Sequence, residues 1–343
     1  DQHTYNDHPM ILETWNPPVL FKQKSLIPGG VGISALRMFG KPFLVSEYGF
    51  CHPNRYIAEH GPVMGAYAAL QDWDGMIYFQ YAWSHRIVRM ESEYTAWSGY
   101  FDTLSNPVKR LSDYIVWFLF IRGDVRPAET GAAIGLNDLP WTQAGNVTRE
   151  LMRLGKIERI GVLPENRNMK NVRRVRPSSI PAPGKVSVSS TKEVISDNTL
   201  PEMKVITPKS ECITTEKASA AANLLSFRNG TAFQTLSVHS LDNRPLKESD
   251  SLLFFHLTDT KNTGEKFSGP DLRHLLDYGR APMLQEIASA DVSLRLPPGN
   301  WKVSALNMSG SVKSVVKSVY RDGVLRFTPS TRNALIYHIE KIR

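Results

Sequence analysis

The stretch KPFLVSEYGFCHPNRYIAEHGPVMGAYAALQDWDGMIYFQYAW, Lys41 to Trp83, decides how the chain is read. It opens on Pro42 to Val45, a short apolar run of strand formers that stops at Ser46-Glu47-Tyr48-Gly49, where polar residues and a glycine take over. Glu47 therefore falls where a buried strand ends. Asn54 can cap the helix that follows, whose apolar residues Tyr56, Ile57, Val63, Met64, Ala66, Tyr67 and Leu70 recur at roughly helical spacing. Gly61-Pro62 kinks or restarts that helix, and Trp73-Asp74-Gly75 stops it. A second apolar run, Met76 to Trp83, returns as another buried strand. Two buried strands joined by a helix make a parallel βαβ unit. In a barrel of such units the strand C-termini carry the chemistry.

The pattern resembles the seventh and eighth barrel strands of the clan A retaining glycoside hydrolases, in which a strand-end glutamate in a Ser-Glu-(Tyr/Phe)-Gly context is the nucleophile. Pro53-Asn54-Arg55-Tyr56 and the run Ala66 to Gly75 are similar to bacterial cellulase-like and β-galactosidase-like members. The resemblance implies that Glu47 is the nucleophile. It also implies a sixth strand at the start of the chain, where Asp1, His3 and Tyr5 share one face of an extended segment. Tyr5 would then orient the nucleophile and favour its ionised form, with His3 nearby as a substrate ligand. On the eighth strand Phe79, Tyr81 and Trp83 alternate onto one face, and Trp83 is the sugar platform the resemblance implies, since an indole packs well on the CH face of a pyranose. His52 and Asn54, in the loop after Glu47, can reach substrate hydroxyls. Each has a plainer reading: His3 as a terminal surface residue, Asn54 as the helix cap, His52 as a loop residue before Pro53.

Beyond this stretch, Met10 to Gly30 holds Pro17-Pro18, Pro28 and Gly29-Gly30 and reads as a long loop, with Trp15 available to stack on a sugar. Arg86 to Tyr100 is a second excursion, whose Glu91 and Glu93 sit at no strand end. Asn106-Pro107 opens a further helix as cap and first-turn proline, and Leu111, Tyr114, Ile115, Phe118 and Leu119 give it an apolar face. Residues 126–165 read as strand, helix and strand. Asn166 to Pro208, rich in Pro, Ser and Lys, reads as a linker. After Cys212, short strands separated by Asn-Gly, Pro-Gly-Asn, Ser-Gly and Asp-Gly turns indicate a β-sandwich. The fold expected is thus the C-terminal portion of a TIM (β/α)8 barrel (1–125), a small α/β appendage and linker (126–208), and a β-sandwich (209–343).

The chemistry implied is double displacement at a β-linked glycoside, which needs a second carboxyl group about 5 Å from the nucleophile. No Asn-Glu pair stands in a suitable strand context, so the acid/base glutamate is assigned to a separate N-terminal segment of the same enzyme. A partial barrel with an open edge must be covered by that segment, by oligomerisation, or by being a smaller complete sheet. A non-catalytic carbohydrate-binding or scaffold protein is the alternative. The chain of 343 residues carries 41 basic and 33 acidic residues, a net charge of +8. The excess gathers in Arg149 to Arg176 without an aromatic ladder, so a solvated connector is preferred to a nucleic-acid site. His3, Asp7, His8 and His52 match no compact metal spacing, and neither metal nor cofactor is called for. Two cysteines, Cys51 and Cys212, make no disulfide framework. The partner expected is an oligo- or polysaccharide, with no membrane span in the sequence. The start DQHTYNDHP lacks Met and any apolar signal region, and reads as that of a mature or cut form.

Overall fold

Three parallel strands, β1 (His3–Tyr5), β2 (Leu44–Gly49) and β3 (Gly75–Tyr78), pair in the order β1-β2-β3. The structure is a computed structural model that describes residues 3–5, 10–11, 19–82, 99–138 and 144–342; for 3–5, 10–11, 19 and 144–148 the backbone alone is described. Between β2 and β3 runs helix α1 (His60–Leu70), entered through a 3-10 turn at Ile57–Glu59, with Gly61-Pro62 in its first turn. All eleven residues of α1 are buried, so it has no solvent face.

The cause is a second helix on one side and a broad sheet on the other. Helix α2 (Pro107–Val116) starts at Asn106, whose Oδ1 accepts from the amides of Val108 and Lys109 at 3.0 and 3.2 Å, and it runs on into a wider π turn, Trp117–Ile121. It lies so close to α1 that a Cβ on Gly61 would stand 2.7 Å from Ile115 Cβ and 2.8 Å from Ser112 O. Leu111, Ile115, Phe118 and Leu119 are buried as their spacing predicts, while Tyr114 is exposed.

Both helices pack on a nine-stranded antiparallel sheet. Its spatial order is Val312–Val316, Asn300–Leu306, Ile336–Ile342, Ser251–Leu257, Gln234–Ser240, Ser210–Thr215, Met203–Ile206, Val194–Asp197 and Val186–Val188. Alternate residues face different cores. Val194, Met203, Val205, Cys212, Phe255 and Leu257 join α1 and α2, whereas Ile213, Leu236, Val238, Leu252, Phe254 and Ile339 face a five-stranded sheet on the other side. Polar contacts fix the helical side: Tyr67 Oη donates to Ser196 Oγ at 3.1 Å, Thr235 Oγ1 to Ala58 O at 2.6 Å, and Phe118 stacks on His239 at 4.4 Å.

This arrangement overturns the TIM-barrel expectation. The α helices among the described residues number three, of 11, 10 and 12 residues, and β-structure dominates. The parallel sheet has three strands, and α1 and α2 cover the nine-stranded sheet instead of taking places in a helical ring. A sheet whose two faces are both buried supplies the partner that a barrel's strands would otherwise provide. The tract 166–208, read as a linker, carries three strands of that sheet.

A second small parallel sheet holds β4 (Gly131–Gly135) between β5 (Arg159–Leu163) and β6 (Val172–Arg174), with α3 (Ala144–Gly155) as crossover. It is fastened to α1 by Gln71, whose Nε2 donates to Gly155 O and Glu158 O and whose Oε1 accepts from the Ile160 amide. A long excursion, 258–287, leaves the nine-stranded sheet and pairs with the segment between β1 and β2: His274–Asp277 pairs with Val19–Leu20, which pairs in turn with Met10–Ile11.

Candidate functional site

Glu47 lies within β2, two residues before its end, and not after it. Leu44 and Val45 pair with Gly75 and Met76, and the next pair is Tyr48 with Tyr78. Ser46-Glu47-Tyr48 therefore stands against Ile77-Tyr78, one residue more on β2 than on β3. Such a bulge bends a strand and re-aims its side chains, and bulges cluster beside active sites. Here it leaves Ser46 and Glu47 half-buried while Val45, Tyr48, Gly49 and Phe50 are buried.

On the other side of β2, the parallel register sets His3 opposite Glu47 and Tyr5 opposite Gly49. By backbone position His3 is level with the carboxylate, and the proposed orienting residue Tyr5 is two places further along. The side chains of both lie outside the described residues, as do Trp15, Trp83, Glu91 and Glu93. Tyr81 is described. It follows β3, its carbonyl accepts from the Leu104 amide at 2.9 Å, and its side chain is 60% exposed, the condition a stacking platform needs.

Beneath β2 lies a packed aromatic layer. His60 of α1 stacks on Phe50 at 4.8 Å and lies 4.8 Å from Tyr78 and 5.7 Å from Tyr48, centroid to centroid. Burial drives its pKa down to about 3, so the ring is neutral. Desolvation also holds the Tyr48 and Tyr78 hydroxyls in their protonated form, well above the usual phenol range. The layer packs the floor beneath β2 with uncharged rings.

His52 and Asn54 are turned inward. His52 is fully buried, its Nε2 lies 2.8 Å from Glu265 Oε2, and its ring meets Tyr278 edge-on at 6.0 Å. Burial lowers its pKa in spite of the hydrogen bond and the charge of Glu265. Asn54 is also buried, its Oδ1 accepting from the Tyr56 amide at 2.8 Å. Both side chains are buried and engaged within the protein. They shape the wall after the bulge: His52 anchors the excursion 258–287, and Asn54 ties the turn before α1.

Sequence reading missed this wall. Glu265, Tyr278 and Tyr100 come together there, with Tyr100 and Tyr278 edge-to-face at 4.7 Å, and Glu265 Oε2 accepting from the Asn262 amide at 3.1 Å. Lys109 is fully buried behind it and donates to Tyr100 O at 3.0 Å, with its pKa lowered to about 8 by desolvation. The available signal was the length of the polar stretch Asp259 to Gly279, since long loops in compact folds tend to serve function.

Among the described residues, no group of three or more His, Cys, Asp or Glu could hold a metal ion, and no helix is long and apolar enough to cross a membrane. Cys51 and Cys212 are both buried free thiols. Compared with models of known protein families and with curated proteins, the chain matches none.

Proposed function

We propose that the chain is the part of a retaining β-glycoside hydrolase that carries the nucleophile, Glu47. The observation that carries this reading is the bulge in β2, which leaves half-buried Glu47 on a parallel strand, level with His3 and backed by the buried aromatic layer. The likeness of Ser46-Glu47-Tyr48-Gly49 to the nucleophile motif of clan A enzymes supports it independently of the barrel, which the chain does not form.

In this reading a Glu47 oxygen attacks the anomeric carbon while the glycosidic C–O bond breaks. The leaving oxygen takes a proton from a second carboxyl group about 5 Å away. Water then attacks the glycosyl ester, returns a proton to that second group and frees Glu47. We assign the acid/base carboxyl to a separate segment of the same enzyme. Tyr81 and Trp83 are the aromatic residues for the sugar, and Tyr5 and His3 are the neighbours of the nucleophile.

Glu47→Gln in the complete enzyme is expected to lower kcat on an aryl β-glycoside by about 10³-fold or more, with the melting temperature unchanged. Near-normal turnover would sink the assignment. The single legible strand carboxylate also suits a second reading, a non-catalytic carbohydrate-binding or scaffold protein. Under that reading Tyr81→Ala weakens oligosaccharide binding and no hydrolysis accompanies the unaltered protein.

A further inference from the structure

The outer face of the five-stranded sheet holds a cleft of about 540 Å³ with no role in the site above. The sheet runs Ala220–Ala221, Leu225–Arg228, Asp291–Arg295, Val324–Phe327 and Ser318–Arg321 in space. Its inward residues, Leu225, Phe227, Val292, Leu294, Leu325 and Phe327, fill the core against the nine-stranded sheet. Its outward residues make the cleft.

Register lines them up. Ser226 pairs with Ser293, and Ser293 with Arg326, so two hydroxyls and a guanidinium form one row across three strands. Arg228 stands two residues along from Ser226, and Arg295 two residues along from Ser293, on opposite sides of that row because the strands are antiparallel. Each step is about 7 Å along the strand. The floor is small side chains, Ser226 and Ser293 with Ala221 beside them, and the surround is three exposed arginines.

None of the three arginines is held in an ion pair among the described residues, whereas Arg122, Arg126, Arg159, Arg173 and Arg244 each are. Asp291, the acidic residue of the lining and the cross-strand neighbour of Arg228, accepts from Asn229 Nδ2 at 2.6 Å and Thr328 Oγ1 at 2.9 Å, and these bonds, with the charge of Arg228, hold its pKa below the usual range. Three guanidinium groups on rigid strands, with hydroxyls between them, complement a ligand that carries repeated anionic groups and hydroxyls. Phe227 is buried in the core, so no exposed ring lines the cleft to stack a nucleic-acid base.

We propose that this cleft is a binding site for an acidic polysaccharide, whose carboxylate or sulfate groups are taken by Arg228, Arg295 and Arg326 and whose hydroxyls meet Ser226 and Ser293. The site does not depend on Glu47. It gives the protein a hold on charged glycan away from the half-buried carboxylate.

The test is calorimetric titration of the full chain with a heparin hexasaccharide, a hexagalacturonate and a neutral cellohexaose. Binding of either acidic oligosaccharide, or both, and not of the neutral one is expected, and the arm that binds names the anionic group. The triple variant R228A/R295A/R326A is expected to weaken binding at least tenfold with an unchanged melting temperature. Ser293→Gln, which fills the floor and keeps the charge, is expected to weaken it too. Glu47→Gln leaves this binding unchanged, so failure here and failure of the hydrolase reading are separate results. Absence of acidic-oligosaccharide binding, or full affinity in the triple variant, overturns the proposal. So does a DNA duplex that binds as tightly and loses its binding in the same variants.

Discussion

Glu59 is a fully buried carboxyl whose ionisation the fold opposes. Its oxygens accept from the Leu26 amide at 2.6 Å and from the Ser25 hydroxyl, yet complete burial raises its pKa from 4.5 to about 8. A raised carboxyl favours the folded state where it is protonated, so its contribution is complete below about pH 4.5 and is lost as pH rises through about 8. Urea melts at a series of pH values should show stability falling across that window, to which Asp113, raised to about 7, also contributes, and in Glu59→Gln the fall should become shallower; an unchanged slope would contradict the assignment. The pair His52–Glu265 is the other residue-scale test. Glu265→Ala leaves a buried imidazole without its acceptor and is expected to cost about 1–3 kcal/mol of unfolding free energy. Single residues were unevenly legible in the sequence. Glu47 announces itself because strand formers give way to Ser-Glu-Tyr-Gly around it. The burial of His52 does not, because its partner is 213 residues away.

Helix contacts set the next scale. Gly61 and Gly65 of α1 face α2 at a separation that leaves no room for Cβ, the nearest atoms to a built Cβ being 2.7 Å away at Gly61 and 3.0 Å at Gly65. Gly61→Ala gains helix propensity of about 1 kcal/mol but overpacks against Ile115 and the Ser112 carbonyl. A net loss of about 1–3 kcal/mol is expected in chemical denaturation, and a stabilised variant would refute the close approach. Asn106→Ala removes the cap of α2 and the bond from Asn106 Nδ2 to Thr260 Oγ1 at 2.9 Å, with an expected cost of about 1–2 kcal/mol by the same measurement. The cap was readable from Asn106-Pro107 alone. The bulge in β2 was not, since in a strand of six residues a one-residue break in the alternation is too brief to tell from the strand's end. The strands Val186–Val188, Val194–Asp197 and Met203–Ile206 were hidden by their length and by the surrounding Pro and Ser.

At the scale of the molecule, the decisive surface is the nine-stranded sheet, which buries one face on α1 and α2 and the other on the five-stranded sheet. Local pattern could find the strands after Cys212, but which layer covers α1 depends on contacts such as Tyr67 with Ser196, 129 residues apart. A βαβ motif read in isolation therefore suggested a barrel where the chain builds stacked layers. The account of function rests on the one feature that survives this change, the half-buried carboxylate of β2. The direct measurement is trapping: treat the complete enzyme with an activated 2-deoxy-2-fluoro β-glycoside, digest it and locate the added mass. The account predicts a single glycosyl ester on Glu47, within the tryptic peptide that spans Met38 to Arg55. A label on any other carboxylate, or turnover with no ester formed, would contradict it.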